Sequence, residues 1–219
     1  MKRIILALTA ALLGFWALDA QTLQSGFEAS LPDSVKYFLP EFAPGRIVYK
    51  DGGFSTGTFN ISTLDQTLRY IEDGKEMSLD RNLAVDRVFI GNHLFIKHLN
   101  EYLCVSESVG DVFLCVGRQF RLNDTKKGAY GSASATSNIK EVGQMEGASG
   151  ELYNLKGFPN FKIVEVPYLL KDNKVSRTTR KQIRKLLPGK AEAIDSYLEG
   201  KQFNFDSFEQ MLGLFQAIK

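Results

Sequence analysis

Two cysteines, two histidines and one run of cations are the residues of this chain whose types and spacing could do chemistry. Cys104 and Cys115 lie in the stretch Glu101 to Val116, in short apolar runs on either side of Gly110-Asp111. Such a pair could be bridged, hold a metal, carry electrons, or simply be two small buried side chains. A thioredoxin-like redox site needs its sulfurs close together at a helix start, which this spacing does not provide. If the chain reverses through an even loop, Val109-Gly110 or Ser108 to Asp111, the cysteines face one another within bridging reach. A three-residue loop, Ser108 to Gly110, would separate them. The even register gathers Leu103, Val105, Val112, Leu114 and Val116 on one aliphatic face, and a four-residue loop also suits Gly110. The expectation is a disulfide between Cys104 and Cys115, with two buried free thiols as the alternative.

His93 and His98 flank an apolar run at an odd separation, so on a continuous strand they point to opposite faces and one metal ion could not hold both. The chain has no Gly-x-Ser-x-Gly elbow, phosphate-binding glycine loop, His-Glu-x-x-His motif or cysteine and histidine cluster. Glu72-Asp73, Glu141 and Glu146 fall in turns or loops. The sequence therefore nominates no catalytic, cofactor-binding or metal-binding residue, and the reading is of a protein that is not an enzyme.

The cations are concentrated. Between Lys171 and Lys190 stand eight Lys/Arg against Asp172 alone, in a chain with 27 basic and 25 acidic residues overall. On a helix, Arg177, Lys181, Arg184 and Lys185 gather on one side while Ile183, Leu186 and Leu187 take another. Such a face would suit an anionic partner, either an acidic protein or anionic lipid met peripherally. Nucleic acid fits poorly, because no aromatic platform accompanies the charges and the amino terminus reads as an export signal.

That export reading rests on Met1-Lys2-Arg3, the apolar run Ile4 to Trp16 and the small residue Ala20, which suit a signal peptide spanning residues 1–20 and cut before Gln21. An uncleaved anchor is the alternative. Beyond it no apolar stretch approaches the ~18 residues of a membrane span.

The elements that must position these residues are mostly strands. Residues 21–40 read as an exposed lead-in. From Gly45 the chain shows four hairpin patterns: Arg46 to Ile61 about Asp51-Gly52-Gly53, Leu68 to Leu79 about Asp73-Gly74, Arg87 to Ile96 about Gly91-Asn92, and the cysteine stretch. Short connections force antiparallel pairing, so residues 41–170 are expected to form a β-meander, as a curled sheet or small barrel. Small polar residues mark a mobile loop at about 126–150. Phe161 to Leu170 reads as one or two further strands, with Pro167 at an edge or break. Residues 171–219 change to a helical period, with helices over Thr178 to Leu187, Ala191 to Glu199 and Asp206 to Ala217, the last capped by Asp206 with Glu209. The fold class is α+β, with the helices packed on the sheet.

Phe38-Leu39-Pro40-Glu41-Phe42, Gly45 to Gly52, Val88 to Gly91, Lys181 to Pro188 and Phe203 to Phe208 together resemble a large group of small exported Bacteroidetes proteins. The resemblance implies a periplasmic or outer-membrane-associated protein with a β-rich body and a helical tail, and it carries no activity with it. The functional expectation is a non-catalytic envelope protein that binds another envelope component, with outer-membrane secretion machinery a partner by analogy. The alternative is a carrier holding a small apolar ligand in a cavity of the sheet.

Overall fold

The computed structural model describes residues 28–122, 152–153 and 161–219. The expected leader and the loop at 126–150 lie outside the described residues. Strands β1 (Ala43–Tyr49), β2 (Phe54–Ile61), β3 (Leu68–Glu72), β4 (Lys75–Ser78), β5 (Val85–Ile90), β6 (His93–His98), β7 (Glu101–Val109), β8 (Val112–Leu122), β10 (Phe161–Lys171) and β11 (Lys174–Arg177) form one antiparallel sheet, and the two-residue β9 (Leu152–Tyr153) pairs with β10. The order is β11-β10-β8-β7-β6-β5-β1-β2-β3-β4.

The four expected hairpins are β1–β2, β3–β4, β5–β6 and β7–β8, and each turn uses residues that tolerate a left-handed φ, including Asp73-Gly74, Gly91 and Gly110. The sheet grows outward from β1 in two directions. β4 is exposed at every residue and ends one edge, whereas β5 has apolar residues to bury and pairs with the other side of β1.

The sheet curls but does not close. Its inner face gathers Phe59 and Ile61 of β2 and Leu68 of β3 with Phe95 of β6, Tyr102 and Cys104 of β7 and Val116 of β8 in one buried cluster. Strands that far apart in the order meet only if the sheet wraps around that face. The seam is tied by Phe120 N–H donating to the Thr63 carbonyl at 3.2 Å and by Gln66 Nε2 donating to the Arg118 carbonyl at 2.9 Å. Farther along, the inner face is covered by helices α2 (Arg180–Leu186), α3 (Ala191–Leu198) and α4 (Phe208–Ile218), whose Ile183, Ile194, Leu198, Met211, Leu214 and Phe215 pack on Val109, Val112, Leu114 and Leu169. Burying each of these large side chains contributes roughly 1.5–3 kcal/mol before the entropy of ordering is set against it.

Two local expectations need correction and a third is narrowed. The lead-in is packed from Leu31 onward: α1 (Asp33–Lys36) buries Val35, and Leu31, Val35, Tyr37 and Leu39 join the core. Of the two readings of Pro167 the edge one holds and the break does not: it falls between the stretches paired to β9 and to β11, where its missing N–H removes no ladder bond. The last helix is capped by Ser207, whose hydroxyl accepts from Gln210 N–H at 3.3 Å, and not by Asp206.

Candidate functional site: a groove on the outer face of the sheet

The cysteine register decides what lies on which face. β7 and β8 turn through two residues, Gly110-Asp111, with Gly110 at φ +59° as a II′ hairpin requires. Val109 thus pairs with Val112. A bulge at Ser106 then slips the ladder by one residue, setting Val105 opposite Cys115 and Cys104 opposite Val116. The two cysteines are therefore on opposite faces, as buried free thiols, and the expected bridge is not formed. The bulge reconciles two demands that a plain ladder could not meet: Cys104 faces the curled core while Val109, Val112 and Leu114 still face the helices. Burial pushes both thiols up, Cys104 to about 11 and Cys115 to about 12, so neither is a nucleophile at neutral pH.

The histidines also part company. His93 stands beside Cys104, Nδ1 to Sγ 3.9 Å, and His98 lies on the outer face, its ring 6.2 Å from that of Tyr168. Among the described residues no three His, Cys, Asp or Glu side chains come together to hold a metal.

The expected cationic helix face is divided between two elements. Arg177 belongs to β11, with its guanidinium 5.1 Å over the Tyr168 ring, because the helix expected from Thr178 begins only at Arg180, after its Thr179 cap. Arg184 and its neighbour Arg180 both reach Asp195 of α3, at 3.5 and 2.8 Å, which holds that carboxyl below its ordinary range. Lys181 and Lys185 remain exposed. The segment is chiefly a joint between two short helices.

What the sheet does present is its outer face. Alternation puts Leu103, Cys115, Val166 and Tyr168 there, all buried. Tyr168 is laid across Gly117 by its hydroxyl, which donates to Glu101 Oε1 at 2.8 Å while Gln119 Nε2 donates to Oε2 at 2.6 Å. A Cβ on Gly117 would come within 3.3 Å of that ring and 3.0 Å of Leu103, so glycine is what lets the ring lie flat. Beside this covered patch the face opens into a groove of about 380 Å³ that crosses β5, β6, β7, β8, β10 and β11. Leu94, Ile96, Val105, Phe113, Leu170 and Val175 make its floor, Lys50 and Arg87 stand at its β5 side, and His98 of β6 lines it toward Tyr168. Phe54 at 63% exposure, Phe89 at 40% and Phe113 at 38% share this face by register.

The other large hollow, about 400 Å³ beside Leu64, Leu99, Glu101 and Phe120, is a shallower mixture of polar and apolar groups. A smaller one of about 140 Å³ is lined by Asp65, Arg81 and Lys97. Burial would raise the Asp65 carboxyl, but hydrogen bonds from Thr67 and Ser62 and the Arg69 charge outweigh it and hold the group low. That carboxylate accepts from Arg69 at 3.1 Å and is 3.2 Å from Arg81 Nη2, the geometry of a structural tie.

No protein-family model, curated protein or solved structure matches this chain.

Sequence reasoning missed the groove because its floor is assembled from strands as distant as β6 and β11. The signal that could have pointed to it is the odd placement of Phe54, Phe89 and Phe113, each out of phase with the core-facing apolar residues of its own strand.

Proposed function

We propose that this is a non-catalytic binding protein of the cell envelope and that the outer groove is where it holds a small ligand with an apolar body. The observation that supports this most is the groove itself, an aliphatic and aromatic floor within the roughly 300–1,000 Å³ range of small-molecule sites. It differs from the enclosed cavity expected of a carrier, since the inside of the curl is filled by Ile47, Phe59, Ile90 and Phe95. The envelope setting is supported by the expected leader and by the resemblance alone.

The second reading is a protein partner seated on the same face, favoured by the spread of exposed phenylalanines beyond the groove to Phe54. Purification from native envelope followed by mass spectrometry of the undenatured protein separates the two. A co-purifying small molecule, lost from the Phe113→Glu protein, supports the carrier; a stoichiometric protein partner and no small molecule supports the second reading.

A further inference from the structure

We infer that the groove takes an anionic amphiphile, an acyl chain with a carboxylate or phosphate head, and that the head lies at the β5 end. This rests on the ligand-binding reading above and adds the ligand's chemistry and orientation.

The groove is graded along the sheet order. At its β8, β10 and β11 end Phe113, Leu170 and Val175 are apolar, with Asn173 the uncharged polar group at the mouth. Lys171, which would bring charge to that end, is paired with Asp111 at 3.0 Å. Val105, Leu94 and Ile96 continue the apolar floor through β7 and β6. At the β5 end stand Lys50 and Arg87, with Asp86 the single carboxylate lining the groove among the described residues.

The balance at that end is cationic. Asp86 is engaged by Arg87 at 2.8 Å. Lys97 is not part of that balance: it pairs with Tyr102 on the inner face and donates to the Arg81 and Leu83 carbonyls at 3.0 and 3.5 Å. Lys50 is exposed and has no carboxylate partner among the described residues. The Lys50 ammonium and the Arg87 guanidinium beside an aliphatic floor match an anionic head and its chain. They are wrong for a neutral lipid, which would leave Lys50 without a counter-charge, and for a cationic one, which they would repel. Five steps between β11 and β5 at ~4.8 Å each make the groove roughly 24 Å across, long enough for an extended chain.

The test is a head-group series on one chain: dodecanoate, dodecanol and dodecyltrimethylammonium, titrated into the full folded protein by calorimetry, with phosphatidylglycerol vesicles as a separate arm. Dodecanoate is expected to bind best. Lys50→Glu should weaken dodecanoate by about tenfold, the size of one charge-assisted contact, and leave dodecanol unchanged. Phe113→Glu should abolish binding of both, and Phe54→Ser, outside the groove, of neither. Equal binding of dodecanoate and dodecanol, insensitive to Lys50→Glu, would overturn the anionic head while leaving a ligand groove standing. Binding of none of the three would overturn the groove reading as well. Sedimentation with the vesicles without uptake of monomeric dodecanoate would assign the face to a membrane surface and overturn the carrier. Lys50 is exposed, so its variant remains foldable and the charge test does not depend on the buried positions.

Discussion

Asn60 should be among the most costly polar residues to replace, and the reason is visible in four bonds. It is fully buried on β2, where the chain entering β1 runs past it. Its Oδ1 accepts from Leu39 N–H at 3.1 Å and Ile61 N–H at 2.8 Å, and its Nδ2 donates to the Leu39 and Glu41 carbonyls at 2.9 and 3.1 Å. The side chain thus replaces a missing strand partner for residues 39–41. At roughly 1 kcal/mol net for each bond, Asn60→Ala should lose about 4 kcal/mol, a large share of the ~5–15 kcal/mol of a typical domain. In a thermal melt that is a fall of about 10 °C. Asn60→Asp sharpens the test by replacing two donors with a carboxylate that faces two carbonyl oxygens. Burial and those oxygens raise the new carboxyl above its unfolded value of about 4, so its protonated, donating form is the one the fold accepts. Its stability is therefore retained below about pH 4 and lost as pH rises toward neutrality. Urea denaturation at both pH values measures it. A loss under about 1 kcal/mol for Asn60→Ala, or an Asn60→Asp protein equally stable at both, would refute the reasoning.

Three further outcomes follow from the geometry. A Cβ at Gly45 would stand 2.3 Å from the Phe89 carbonyl oxygen and 3.3 Å from Ile90 Cα, both backbone, so Gly45→Ala should cost about 3 kcal/mol in denaturation by forcing β1 from β5. Leu99 holds φ +53° while 79% exposed, so Leu99→Asn should keep the fold and raise its stability by about 1 kcal/mol; destabilisation would show that the leucine has a contact to lose. Burial raises Cys104 to about 11 and Cys115, Tyr102 and Tyr168 to about 12, from ordinary values of 9.0 for thiols and 10.0 for tyrosines. The unfolded chain then gives up these protons first, so stability should be whole below about pH 9 and decline as pH rises toward 12, and a thiol reagent should titrate both cysteines on unfolding without reductant but neither in the native protein.

The hairpins were legible because each turn is a local matter: Asp73-Gly74 or Gly91-Asn92 between β-branched and aromatic residues needs no distant partner. The three carboxy-terminal helices were legible through their apolar spacing, with Ile194, Leu198, Met211 and Phe215 buried as that spacing requires. Sheet order was less so, since nothing local tells β5 to skip the fully exposed β4 and join β1. The cysteine register turned on a bulge at Ser106, a one-residue slip set by the packing of Val109 and Val112 under the helices. The cationic run misled because Asp172-Asn173, both at positive φ, close a hairpin between β10 and β11 and take Lys174 and Arg177 into a strand. The lead-in looked exposed because its polar residues outnumber its few anchors, yet Asn60 and the Arg118 guanidinium, bonded to the Ser34, Tyr37 and Phe38 carbonyls, bind it down. The groove depends on all of these at once.

The measurement that bears most directly on the binding claim is photolabelling with a diazirine-bearing fatty acid, followed by peptide mapping. Adducts confined to β6, β8 and the β10–β11 hairpin, and suppressed by excess dodecanoate, are the predicted result. Adducts on the helices α2 to α4, or scattered over the chain and indifferent to dodecanoate, would contradict it.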